Sequence, residues 1–164
     1  MPFDFAHFEE LYDVRIVLEL EAVRRLCERP QDEHSDALVQ LERTWLVQPE
    51  QRLQDGRAVS RLDGRFHCQL VEAAGNRETA HLHAEVSEKI RIIRRLDFTQ
   101  SPRVAATYDE HGKILAAILS RRCKEAQLLL KTHIEVSKAE VRKITLHMLH
   151  SARQRTMPAP EVKT

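Results

Sequence analysis

Asp63 and His67 stand four residues apart in Asp63-Gly64-Arg65-Phe66-His67, a spacing that puts both side chains on one helical face and lets them chelate one ion together. Val59, Leu62, Phe66 and Leu70 flank the pair at helical intervals, so that face turns toward a core. His111 falls seven residues after Val104 and seven before Ile118, and His133 sits among Leu129, Leu130, Val136 and Ile144; both belong to inward stripes of their own helices. Any one of these alone reads as a buried histidine hydrogen-bonded to a neighbour. Three imidazoles and a carboxylate together change the odds. Burying them is costly without compensation, and a divalent ion inside a helix bundle compensates them through nitrogen and oxygen lone pairs. Asp63, His67, His111 and His133 are therefore the candidate ligands of one divalent ion per chain. Zinc is the first choice, and nickel, iron or manganese also suit imidazole with one carboxylate.

A second oddity lies near the start of the chain. Arg15 and Glu19 are four apart on the same face as Leu11, Leu18 and Ala22, and charges on a core stripe need partners. They read either as an intrahelical ion pair at the bundle edge or as a cavity site. In the second reading Arg15 grips an anionic ligand near the metal, because guanidinium binds a carboxylate bidentately. Arg94 and Arg95 could add charge there, though a solvated basic face explains them equally well. The other six histidines are weaker candidates. His7 and His34 lie near helix starts, His147 and His150 fall near the chain end, and His81 and His83, two apart, face different directions on a helix. All six read as structural or solvent-facing, and Trp45 as core or interface.

The elements that must position these side chains are all helices. Aromatics are only 5% of the chain, and the β-branched residues are scattered among good helix formers. The pattern predicts an antiparallel bundle of about six helices. The first runs from about Phe8 to Glu28, with Leu11, Arg15, Leu18, Ala22 and Leu26 inward, and stops at Arg29-Pro30. The second starts near Glu33, capped by Gln31 or Asp32, and carries Leu38, Leu41 and Trp45. The third is capped by Asp55 and ends at Gly75; Asn76 then caps a fourth with a stripe at Leu82, Val86, Ile90, Ile93 and Leu96. Ser101-Pro102 opens a fifth helix, with Val104, Tyr108, Leu115 and Ile118 inward, that runs to about Ser120, and the sixth extends from about Cys123 to His150. Residues 8–150 thus form one domain. Residues 151–164, with two prolines and little apolar surface from Arg153 onward, are expected to be a frayed, flexible tail.

Composition narrows the function classes. With 26 Lys+Arg against 25 Asp+Glu the net charge is +1, so no global field draws in nucleic acid. No run approaches the roughly 18 apolar residues of a membrane span. The start, Met1-Pro2-Phe3-Asp4-Phe5, lacks the basic-then-apolar order of a secretory signal. Three widely spaced cysteines without a Cys-x-x-Cys pair argue against a disulfide framework or a cysteine zinc site, and a cytoplasmic location is expected.

Several separated motifs, in order, resemble the FCD domain, the effector-binding domain of the FadR and VanR branch of GntR-type bacterial transcription regulators. They are Leu11-Tyr12-Asp13-Val14-Arg15 with Leu18-Glu19, Asp63-Gly64-Arg65-Phe66-His67, Ala73-Ala74-Gly75-Asn76, Glu110-His111 with Ile114-Leu115-Ala116-Ala117-Ile118, and His133. The resemblance implies a metal on the family's Asp and three His, here Asp63, His67, His111 and His133. It also implies a pocket beside that metal for a small organic acid, with Arg15 at the family's carboxylate-binding arginine; Glu19 and Arg94 complete the expected effector set. One departure is Arg121-Arg122 where the family has Gly-Asp, which removes a cap worth about 1 kcal/mol from the sixth helix unless Ser120 substitutes. Another is that the winged helix-turn-helix domain that precedes such domains is absent from these 164 residues.

The resulting reading is a non-enzymatic, homodimeric sensor that acts on DNA through an attached or partner winged helix and does not contact a membrane. The first and fourth helices offer apolar surface beyond one stripe for the dimer, such as Val17, Leu20 and Val23. Two alternatives carry different chemistry. One is a metal-dependent enzyme on the three-His, one-Asp site with Glu19 or Glu110 as general base. The other is a plain dimerising bundle whose histidines are only hydrogen-bonded.

Overall fold

The computed structural model describes residues 4–30, 36–99 and 101–156, and every regular element among them is helical. Helix α1 spans Phe5–Glu28 and starts a turn earlier than Phe8, because the Asp4 carboxylate accepts the His7 N–H at 3.0 Å. Helix α2 is Asp36–Trp45; its expected start near Glu33, the caps at Gln31 or Asp32, and His34 lie outside the described residues. Helix α3, Gly56–Ala73, is capped by Asp55 and helix α4, Arg77–Arg94, by Asn76, both as the sequence indicates. Helix α4 ends short of Leu96, in a 3-10 turn over Asp97–Thr99. Helix α5 is Ser101–Leu119.

Helix α6, Cys123–Thr156, passes the boundary expected at His150 by six residues. The segment Ser151-Ala152-Arg153-Gln154-Arg155 contains no breaker, and the first proline after it is Pro158. The α5–α6 junction shows what Arg121-Arg122 do in place of Gly-Asp. Arg121 takes a left-handed φ of 58°, while the Arg121 N–H bonds the Ile118 carbonyl and the Arg122 N–H the Ala117 carbonyl, both at 2.9 Å. These bonds close α5 with a Schellman motif built on arginine. Ser120 belongs to that turn, its N–H bonding the Ala116 carbonyl, and the Arg121 guanidinium reaches across to the Cys27 and Glu28 carbonyls at the end of α1.

Helix α1 packs against α3, α4 and α6, α5 against α6, and α2 against α3 and α5. The three-residue links Ala74-Gly75-Asn76 and Ser120-Arg121-Arg122 force α3–α4 and α5–α6 to run antiparallel. Contact on three sides rotates the buried face of α1 away from the simple stripe: Phe8, Tyr12, Arg15, Glu19, Ala22, Val23 and Leu26 are buried, whereas Leu11 and Leu18 are half-buried. Val23, expected at a dimer surface, is therefore core, and Val17 is the exposed member of that set at 67%. Helix α4 departs further. Its buried residues are His83, Val86, Ser87, Ile90 and Arg94, with Leu82 half exposed. On α6, Leu130, His133, Ile134, Ser137 and Val141 turn inward while Val136 faces out.

The 3-10 turn is held tightly against the start of α3. A Cβ on Gly56 would lie 2.3 Å from the Phe98 carbonyl oxygen, backbone against backbone, so neither side can yield cheaply. Gly56→Ala is expected to cost about 1–3 kcal/mol. Thermal unfolding should show a melting temperature lower by several degrees.

Candidate metal centre

Helices α3, α5 and α6 bring Asp63, His67, His111 and His133 together in the interior, all four buried. From Asp63 Oδ1 the Nε2 atoms of His67, His111 and His133 lie at 3.4, 3.2 and 3.6 Å. His133 Nε2 is 3.2 Å from His111 Nε2 and 3.3 Å from His67 Nε2. Four donors bound at about 2.0–2.1 Å around a tetrahedral ion are about 3.3 Å apart, which these spacings match. Apart from an ion, the cluster is badly satisfied. No hydrogen bond of good geometry reaches buried Asp63 Oδ1, and imidazole nitrogens face one another edge to edge.

The outer nitrogens are fixed in the sense that frees the inner ones. His67 Nδ1–H donates to Glu19 Oε2 at 2.6 Å, which leaves the Nε2 lone pair pointing at the cluster. His133 Nδ1–H donates to Glu110 Oε2 in a very short contact. Arg103 Nη2 also lies 3.2 Å from that nitrogen, but a guanidinium only donates, so the proton goes to the carboxylate. Arg103 instead braces Glu110 at 2.8 Å and Asp97 at 3.0 Å. Among the described residues His111 lacks a partner at Nδ1 and is held by its ring: it stacks on Phe66 with ring centres 3.6 Å apart at 12°, and Trp45 meets it in a T-shaped contact with ring centres 4.1 Å apart. Trp45 is core, as expected, and also part of the clamp.

Burial, with the neighbouring His133 and His67, drives the His111 pKa down to about 3 despite Asp63. His67 is lowered by burial and by Arg15. His133 is raised, since its contacts to Asp63 and Glu110 outweigh burial. Burial would also push Asp63 up, but the three imidazoles hold it well below the usual carboxylate range. Glu110 sits at about 2, because hydrogen bonds from His133 and Arg103 outweigh its burial.

Beside the cluster, α1 and α4 place three buried polar groups whose donors are unused among the described residues. Arg15 Nε donates to Glu19 Oε1 at 2.7 Å, so the pair is a buried ion pair, yet Arg15 Nη1 has no partner. Arg94 Nε is 3.5 Å from Asp63 Oδ2 without a hydrogen bond, and its Nη1 is also free. Tyr12 Oη and Ser137 approach one another, but no hydrogen bond of good geometry forms. Buried, unsatisfied donors thus stand next to four converging lone-pair atoms, an arrangement that could hold an anion beside a cation.

The FCD domain family matches residues 10–136. The chain belongs to the FCD domain family.

This FCD domain is 30% identical over 128 residues to the Nta operon transcriptional regulator of Aminobacter aminovorans, covering 77% of the chain and 57% of that protein. It is 28% identical over 129 residues to the uncharacterized HTH-type transcriptional regulator YdhC of Bacillus subtilis (strain 168), covering 76% of the chain and 55% of the relative. The chain thus spans rather more than half the length of the curated relatives it matches. Among solved structures, the metal-free FCD domain of TM0439 superposes with a TM-score of 0.71 over 87% of this chain and 96% of that one, at 20% identity, which shows a common fold.

Within this FCD domain the four expected ligands converge, and Arg15, Glu19 and Arg94 all border them. His81 and His83, both read as structural or solvent-facing, part company. His81 is exposed, but His83 Nε2 lies 2.8 Å from Glu19 Oε1 and the ring is buried. Burial opposes charge on His83, yet hydrogen bonding to Cys68 and Glu19 outweighs it and raises its pKa to about 9. Its signal was present, three residues before Val86 and seven before Ile90. Sequence reasoning assigns no role to Asp97 or Arg103, quotes Tyr12 only within a motif, and names Glu110 as a motif residue and a candidate base. Glu110→Gln should weaken divalent metal binding about 10–100-fold by loosening His133. Competition against a chromophoric chelator measures this, and Arg24→Gln, which disturbs only exposed pairs with Glu21 and Glu28, should leave affinity unchanged.

Proposed function

We propose that this FCD domain is the ligand-sensing part of a cytoplasmic GntR-type transcription regulator that holds one divalent ion, zinc first, and binds a small carboxylate effector beside it. The observation that carries the reading is the juxtaposition of four converging lone-pair atoms with the unpaired donors of Arg15, Tyr12 and Arg94. Asp63, His67, His111 and His133 would hold the ion, and their donor set fits it. When bound, the ion supplies open coordination positions for an oxygen of the effector. Arg15 Nη1 and Tyr12 Oη donate to the acid, and Arg94 offsets its charge. Water lost by the carboxylate on entry is replaced by these fixed donors.

Effector bound to Arg15 acts on α1, which packs on α3, α4 and α6, so a change in α1 is felt across the bundle. We assign the dimer surface to exposed apolar residues of α1 and α4, Val14, Val17, Leu82 and Ile92, in place of buried Val23. Dimer geometry would then set the spacing of attached winged helices on DNA. Both general bases named for the hydrolytic alternative are already engaged. Glu19 is occupied by Arg15, His67 and His83, and Glu110 by His133 and Arg103.

His67→Ala and His111→Ala should each lower metal content and melting temperature; unchanged stoichiometry by elemental analysis in both would refute the ligand assignment. Arg15→Ala should retain metal but lose about 2 kcal/mol of carboxylate affinity by calorimetry, and equal affinity would make Arg15 and Glu19 only a structural pair. Light scattering at tens of micromolar should give a dimer mass, and Val17→Glu should shift it toward monomer.

A further inference from the structure

A cleft of about 380 Å³ opens between α3 and α4, and five arginines, Arg61, Arg65, Arg91, Arg94 and Arg95, line it against a single acid, Glu88. In a chain of net charge +1 this is a strong local excess. Arg91 spends its Nε on Glu88 at 3.0 Å, whereas among the described residues no ion pair engages Arg61, Arg65 or Arg95. Arg61 and Arg65 are four apart on α3, a like-charge pair that lowers that helix's own stability, and Arg95, just past the end of α4, follows Arg91 by four residues. The cleft floor is Ser60, Ser87 and Arg94, all nearly buried, and Arg94 is also the residue beside Asp63. Its guanidinium therefore lies at the boundary between the cleft and the metal cluster, with two unpartnered nitrogens. Gly64 makes that placement possible, since a Cβ there would sit 2.5 Å from Arg94 Nη2.

We propose that the α3–α4 cleft is the entry port for the effector and binds its second acidic group, so that the effector is a di- or tricarboxylic acid. The inference rests on the effector reading above. One carboxylate reaches the interior donors, and another remains in the cleft on Arg61 and Arg65, with Arg94 between them. A monocarboxylate uses only the inner half. Guanidinium pairs at the mouth also steer a polyanion inward more strongly than a singly charged acid.

Calorimetry on the zinc-loaded chain with glutarate, tricarballylate and butyrate tests this. The polyacids should bind at least tenfold more tightly than butyrate. The double variant Arg61→Gln with Arg65→Gln, both at exposed positions, should remove that advantage while metal content and butyrate affinity stay unchanged and the melting temperature does not fall. Gly64→Ala, which displaces Arg94, should weaken all three acids. Polyacid affinity that survives the double variant overturns the cleft assignment and leaves the effector reading standing. Failure of every acid to bind the zinc-loaded wild-type chain overturns both. A short DNA duplex that binds the chain through Arg61 and Arg65, with acid binding unaffected by their loss, would assign the cleft to nucleic acid instead.

Discussion

Glu19 is a carboxylate with no solvent exposure, and the bundle is arranged around the need to satisfy it. It accepts from Arg15 Nε on its own helix, from His67 Nδ1 on α3 and from His83 Nε2 on α4, at 2.7, 2.6 and 2.8 Å. Arg15 and the hydrogen bonds from both imidazoles hold it ionised against the effect of burial. An unpaired buried charge costs about 3–5 kcal/mol, so three helices are tied to one geometry by a group that an apolar core would not contain. The same contact decides chemistry, because a proton fixed on His67 Nδ1 leaves Nε2 as a lone pair directed at Asp63.

The opposite side of the cluster repeats the device with different parts. Asp97 and Glu110 flank Arg103, and Glu110 orients His133 as Glu19 orients His67. His111 between them is set by Phe66 and Trp45, whose rings fix its plane without a hydrogen bond. Each of the three imidazoles therefore has its orientation determined from outside the cluster. Precise placement from rigid helices suits an ion with demanding geometry, and it leaves Arg15, Tyr12 and Arg94 with spare donors where an acid would approach.

Much of this was legible as periodicity. Asp63 and His67 on a stripe with Val59, Phe66 and Leu70, His111 midway between Val104 and Ile118, and the caps Asp55 and Asn76 are local patterns that the fold respects. What sequence could not give was rotation. The stripe on α1 includes Tyr12 and Glu19, each one residue beyond the leucine that hydrophobicity selects, because α1 is enclosed by α3, α4, α5 and α6. On α4 the inward face carries His83, Ser87 and Arg94 while Leu82 and Ile92 face out, so polarity there reports the site rather than the surface. Glu110 and Arg103 are ordinary charges until α6 brings His133 against them.

The account stands on four side chains that share one ion. Anomalous diffraction at the zinc edge from crystals of the zinc-loaded chain tests that most directly. The account predicts one strong peak per chain within bonding distance, about 2.0–2.2 Å, of Asp63 Oδ1 and of Nε2 of His67, His111 and His133. A fully loaded chain with its peak elsewhere, for example on His147 and His150 of α6, would contradict it.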